Sequence, residues 1–96
     1  MFTLKLKPNQ QQIMRLANVI RMCRQTIDMS QEEFARCINT SVDSLKDIEC
    51  GLREPRLFEL LACADVFGLS TTELLELAQT DTESAVLVCI DELRSQ

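Results

Sequence analysis

Residues 41–51 read SVDSLKDIECG and put Val42, Asp43, Lys46 and Asp47 at positions i, i+1, i+4 and i+5. At helical spacing they share one face. Two carboxylates, an ammonium and a branched apolar side chain are groups for recognition, because they accept, donate and exclude. Nearby in the chain stand Gln31, whose amide both donates and accepts, the hydroxyls of Thr40, Ser41 and Ser44, and the guanidinium of Arg53. Catalytic chemistry has no comparable support. The chain has no His, no phosphate-binding glycine loop and no nucleophile–base spacing, and its carboxylates are spread over helix caps and surfaces. No enzyme is expected.

Metal and cofactor chemistry is not expected either. Cys23, Cys37, Cys50, Cys63 and Cys89 are odd in number and contain no C-x-x-C pair. Without His they do not read as a zinc site, and they are expected to be reduced structural thiols in a cytosolic protein. No apolar run approaches the ~18 residues of a membrane span. The start, MFTLKLKPNQQQ, lacks the apolar core and small-residue cleavage site of a secretory leader.

The elements that must position the recognition face are helical. With 96 residues, 46% hydrophobic, and only two Gly, two Pro and four aromatics, the chain reads as one small domain of helices with short connections. Its net charge of −5 is uneven. Residues 1–56 hold nine Lys or Arg against seven acids, and residues 57–96 hold one Arg against eight. Only the first part is suited to face a polyanion.

Residues 2–7 alternate, with Phe2, Leu4 and Leu6 on one side, and predict a strand ended by Pro8. Gln10 to Ile27 predicts a helix with Ile13, Leu16, Ala17, Ile20 and Ile27 inward. Ser30 and Glu33 make a capping box, which opens a helix burying Phe34, Ala35 and Ile38. Asn39 suits a left-handed turn, and Ser41 caps the next helix, which ends near Gly51. Residues 57–67, LFELLACADVF, are apolar nearly all round and predict a central helix. Ser70–Glu73 and Thr80–Glu83 are two further capping boxes, the first opening a helix through Ala78. The run AVLVCI beyond Ser84 fits either a helix or a strand. The expected layout is an arm at 1–9, a helical domain at 10–79 and a dimerisation segment at 80–96. Phe2, Leu4, Leu6, Val86, Val88, Ile90 and Leu93 supply apolar surface for a second copy.

Two short helices with the second capped by Ser41 form a helix-turn-helix. Met29-Ser30-Gln31, Phe34-Ala35, Asn39, Ser41, Ile48-Glu49, Gly51, Pro55 and Phe67-Gly68-Leu69-Ser70 carry a more specific likeness. From Leu16 to Leu75 the chain resembles the lambda-repressor-like (Cro/repressor, XRE) family. The resemblance implies an all-α, five-helix DNA-binding domain. It also implies roles: Gln31 at a phosphate and beside the base-reading side chains, Thr40 and Ser41 on the DNA backbone, and Arg53 gripping phosphate. Val42, Asp43, Lys46 and Asp47 fall at its base-reading positions with Ser44 beside them, and Arg24 with Glu49 at a pair bridging the first and third helices.

The implied function is sequence-specific transcription regulation, usually repression, by a homodimer on palindromic double-stranded DNA in a bacterial or phage-encoded system. The implied place is the cytoplasm, at the nucleoid. The alternative is a protein-interaction module on the same scaffold (an antitoxin, antirepressor or adaptor) that uses its acidic surface on a second regulatory protein.

Overall fold

The computed structural model describes residues 10–79. They form five helices and no strand: α1 (Gln10–Thr26), α2 (Gln31–Cys37), α3 (Val42–Glu49), α4 (Leu57–Phe67) and α5 (Thr71–Gln79). The expected strand at residues 2–7, the third capping box and the segment 80–96 lie outside the described residues, as do the seven apolar residues assigned to a dimer contact. No helix among the described residues is long and apolar enough to cross a membrane.

α1 is the spine, packing along α5 and touching α3 and α4. Its buried stripe is wider than the expected one, because Val19 and Cys23 join Ala17 and Ile20 in the core. The helix ends in a left-handed residue, Asp28 with φ 56°, where Met29 N–H donates to the Arg24 carbonyl at 3.2 Å.

α2 starts on the capping box. The Ser30 hydroxyl accepts from Glu33 N–H at 3.1 Å, and the Glu33 carboxylate accepts from Ser30 N–H at 3.2 Å. Those bonds hold the Glu33 carboxyl below its ordinary pKa. Asn39, at φ 57°, turns the chain toward α3, and Thr40 N–H closes on the Ala35 carbonyl at 2.9 Å. The Ser41 hydroxyl then accepts from Ser44 N–H at 3.1 Å, capping α3.

Gly51 takes the chain out of α3 at φ 76°. A side chain here would be strained, and its Cβ would collide with Met14 Sδ. The Gly51 carbonyl also accepts from Gln10 Nε2 at 3.2 Å, so the end of α3 is tied to the start of α1.

α4 differs from its expected central place. Leu60, Cys63, Ala64 and Phe67 face the core, and the Phe67 ring stacks on Phe34 with centroids 5.3 Å apart. Leu57, Phe58 and Leu61 face outward, with Phe58 82% exposed. The described helices cover α4 on one side only. An all-apolar sequence does not say how many sides find a cover. α5 repeats the capping box with Ser70 and Glu73, and buries Leu74 and Ala78.

Candidate nucleic-acid interface

The inner side of the helix-turn-helix is held by one carboxylate. Glu49, at the end of α3, is 3% exposed and faces Arg24 of α1, itself 9% exposed. Arg24 donates from Nε to Glu49 Oε2 at 2.7 Å and from Nη2 to Oε1 at 3.1 Å. Its third nitrogen, Nη1, donates to the Met29 carbonyl at 2.8 Å. Gln31 Nε2 adds a further bond to Glu49 Oε1 at 3.1 Å. One buried anion therefore fixes α1, the entrance to α2 and the end of α3 together. Such a pair is tolerated in the interior only when its polar atoms find partners, and no buried side-chain nitrogen or oxygen among the described residues lacks one.

Gln31 is consequently an oriented amide. The bond to Glu49 takes one of its two N–H groups, and the side chain stays half-buried at the first residue of α2. This is compatible with a phosphate contact by the other N–H.

On the outer side of α3, Asp43, Lys46 and Asp47 are exposed and Ser44 is half-exposed. None of these three charged side chains takes part in a hydrogen bond among the described residues. Val42 sits differently: it is half-buried against the core, leaving part of its surface outward. Ser41 keeps its hydroxyl proton free of the capping bond, in which it serves as acceptor.

Behind this face lies a second buried carboxylate, Glu59 of α4, 6% exposed. Arg53, in the loop between α3 and α4, donates from Nη1 to Glu59 Oε1 at 3.0 Å and from Nη2 to Oε2 at 2.8 Å. Arg53 Nη1 also reaches the Glu54 carbonyl at 3.0 Å. Glu59 also accepts the backbone N–H of Arg56 at 2.8 Å, and the nearby Thr40 side chain helps to hold its carboxyl low. The Arg53 hydrogen bond is the main reason the Glu59 carboxyl falls to about 2, outweighing the opposite effect of burial. Reciprocally, Glu59 raises the Arg53 guanidinium above its ordinary value, with Asp47 adding to the effect.

The structure thus gathers Ser41, Asp43, Ser44, Lys46 and Asp47 on or beside one helix, with Gln31 tied to the end of that helix through Glu49 and Arg53 held in the loop that follows it. Thr40 stands apart from the rest. Its side chain lies near Glu59, and its N–H donates to the Ala35 carbonyl. A phosphate contact from that N–H would have to displace the bond to Ala35.

Glu59 is absent from the residues singled out in the sequence. The sequence does hold a signal for it, since a Glu three residues after the residue preceding a helix is where a carboxylate reaches back to the first free N–H. Arg56 at that preceding position has no side-chain acceptor, so the capping pattern is only half present. Among the described residues no group of three or more His, Cys, Asp or Glu is placed to hold a metal ion.

Residues 20–74 match the family model described as helix-turn-helix. No curated protein sequence matches the chain. The fold is similar to that of the clp gene regulator ClgR from Corynebacterium glutamicum. One structure of it aligns at 19% identity with a TM-score of 0.65, covering 88% of this chain and 84% of that one. A second aligns at 20% identity with a TM-score of 0.63, covering 79% of this chain and all of that one (100%). At these identities the likeness is one of fold.

Proposed function

The chain belongs to the helix-turn-helix family of DNA-binding transcription regulators, and from that premise we propose that it is a repressor acting as a homodimer on a palindromic operator. The observation that carries this reading is the division of α3. Its inner face is fixed by Glu49, while Asp43, Lys46 and Asp47 stand exposed with no bond inside the described protein. In this reading Lys46 donates to a guanine or a phosphate, and Asp43 or Asp47 accepts from cytosine N4, one of the few donors on a base edge. Each carboxylate also repels phosphate, which lowers affinity and rejects wrong sequences. Gln31, Ser41 and Arg53 hold the backbone on either side. A dimer built through residues 1–7 and 84–93 presents two α3 helices about one DNA turn, ~34 Å, apart. Regulation comes through concentration, dimerisation or a protein partner, at the nucleoid in the cytoplasm.

The test is selection of bound duplexes from a random pool, repeated over a salt series. The proposal expects an enriched palindrome and an affinity that falls steeply with salt. An unenriched pool at every salt concentration would remove it.

A second reading, a protein-interaction module, is favoured by one observation. Leu52, Leu57 and Phe58, at 77%, 65% and 82% exposure, put large apolar side chains at the α3–α4 junction. This reading prevails if Lys46→Ala and Asp43→Ala leave DNA affinity at low salt unchanged while a protein partner is retained.

A further inference from the structure

We infer that Glu59 is a positioning residue of the DNA interface, which holds Arg53 so that one edge of its guanidinium is a preset fork for a single phosphate. The inference rests on the DNA-binding reading above and adds to it a residue behind the contact surface.

The donor inventory of Arg53 is the core of the argument. A guanidinium carries five N–H groups. Arg53 uses both on Nη1, one toward Glu54 and one toward Glu59, and one on Nη2 toward Glu59. The Nε–H and the remaining Nη2–H are not used by these bonds. They lie along one side of the planar group, the pair that meets two oxygens of a phosphate or carboxylate at once. Arg24 shows the alternative in the same protein. Its Nε and Nη2 are spent on Glu49, so its corresponding edge is closed. Arg53 is gripped by its end, and no hydrogen bond among the described residues takes its side edge, with the Asp47 carboxylate acting on the same guanidinium from a distance.

The grip is firm. Glu59 receives three donors, two from Arg53 and one from Arg56 N–H, with the Thr40 side chain close by. Its side chain is 8% exposed against 28% for Arg53. The buried partner sets the geometry and the more exposed one meets the solvent. A free arginine would lose rotamer freedom on binding a phosphate; one already held has lost most of it in folding. The same carboxylate lies beside Thr40 in the turn between α2 and α3, so the phosphate fork and the start of α3 sit around one buried group.

The experiment uses the full chain and a duplex oligonucleotide of random sequence, with affinity measured across salt concentrations for wild type, Arg53→Ala, Arg53→Lys, Glu59→Gln and Glu59→Gln/Arg53→Ala. The expected result is that Arg53→Ala and Glu59→Gln each weaken binding by roughly five- to tenfold and lower the salt slope by about 1. The double variant is expected to be no weaker than either single one. Arg53→Lys, which keeps the charge and loses the fork, is expected to stay well below wild type. Where Glu59→Gln fails to fold, Arg53→Lys decides, and wild-type affinity for it overturns the inference. Glu59→Gln binding as tightly as wild type or tighter overturns it too, because Glu59 would then be competing with phosphate. Additive losses in the double variant also overturn it. Wild type that binds no duplex at any salt removes the DNA-binding reading itself, and this inference with it.

Discussion

Arg24 and Glu49, twenty-five residues apart, meet side-on in the interior, with Nε to Oε2 at 2.7 Å and Nη2 to Oε1 at 3.1 Å. Neither group has water to fall back on. Truncating Glu49 to Ala strands a guanidinium that is 9% exposed, and is expected to cost about 3–5 kcal/mol. The measurement is the urea midpoint, and a midpoint equal to wild type would contradict the pair's role as the strut of the domain.

Acid should act through Glu59. Its folded pKa of about 2 lies below the ordinary 4.5. A depressed carboxylate stabilises the fold fully above the unfolded pKa, and this contribution is lost as pH falls through the folded one. The window therefore runs from about pH 5 down to about pH 2, and the loss amounts to ~3 kcal/mol. Urea midpoints taken across this range should flatten in Glu59→Gln relative to wild type. Parallel curves would assign the acid sensitivity elsewhere.

The exposed charges of α3 give opposite expectations. Lys46→Ala should weaken binding to every duplex and reduce the salt slope by about 0.9. Asp43→Asn should strengthen binding to random DNA, by roughly two- to fivefold, and broaden the selected sequence at one base pair. Titration against a selected and a scrambled duplex separates the two effects. Lys46→Ala losses confined to the selected duplex would place Lys46 at a base, away from phosphate.

The two left-handed glycines should differ. Gly68 has φ 72°, and a methyl group added to its Cα would meet nothing within 4 Å, so Gly68→Ala is expected to cost only the backbone strain, about 1 kcal/mol. Gly51→Ala adds the collision with Met14 Sδ and should cost about 2–4 kcal/mol. Thermal melts compare them directly. Met14→Ala in the Gly51→Ala background should recover part of the loss, and no recovery would show that Met14 was not the obstacle.

The thiols should divide by place. Cys37 and Cys50 are exposed, while Cys23 and Cys63 are buried. Burial, with nearby acidic groups adding to it, pushes the Cys63 thiol up to about 12. Alkylation followed by peptide mapping should modify Cys37 and Cys50 in the native protein, and Cys23 and Cys63 only on unfolding. Modification of Cys63 at the native rate would contradict its place in the core.

What the sequence showed well was local. The Ser30–Glu33 and Ser70–Glu73 boxes, Asn39 and Gly51 each depend on residues a few positions apart, and a linear reading finds them. Arg24–Glu49 came from the family resemblance, because nothing in the chain joins positions so far apart. Glu59 escaped for a local reason: Arg56, the residue before α4, has no side-chain acceptor and leaves the capping pattern half present, and the residues on either side of Glu59 are apolar. The outward turn of Leu57, Phe58 and Leu61 was hidden by composition, since an apolar helix looks the same whether one side or all sides are covered.

The division of α3 has an evolutionary consequence. The side chains of Asp43, Lys46 and Asp47 make no hydrogen bond among the described residues, whereas that of Glu49 on the same helix accepts three. Point substitutions at the first group change the charge the helix turns outward at little expected cost to folding. If α3 reads DNA as proposed, a lineage carrying this scaffold moves from one target sequence to another by single steps, each passing through a folded protein.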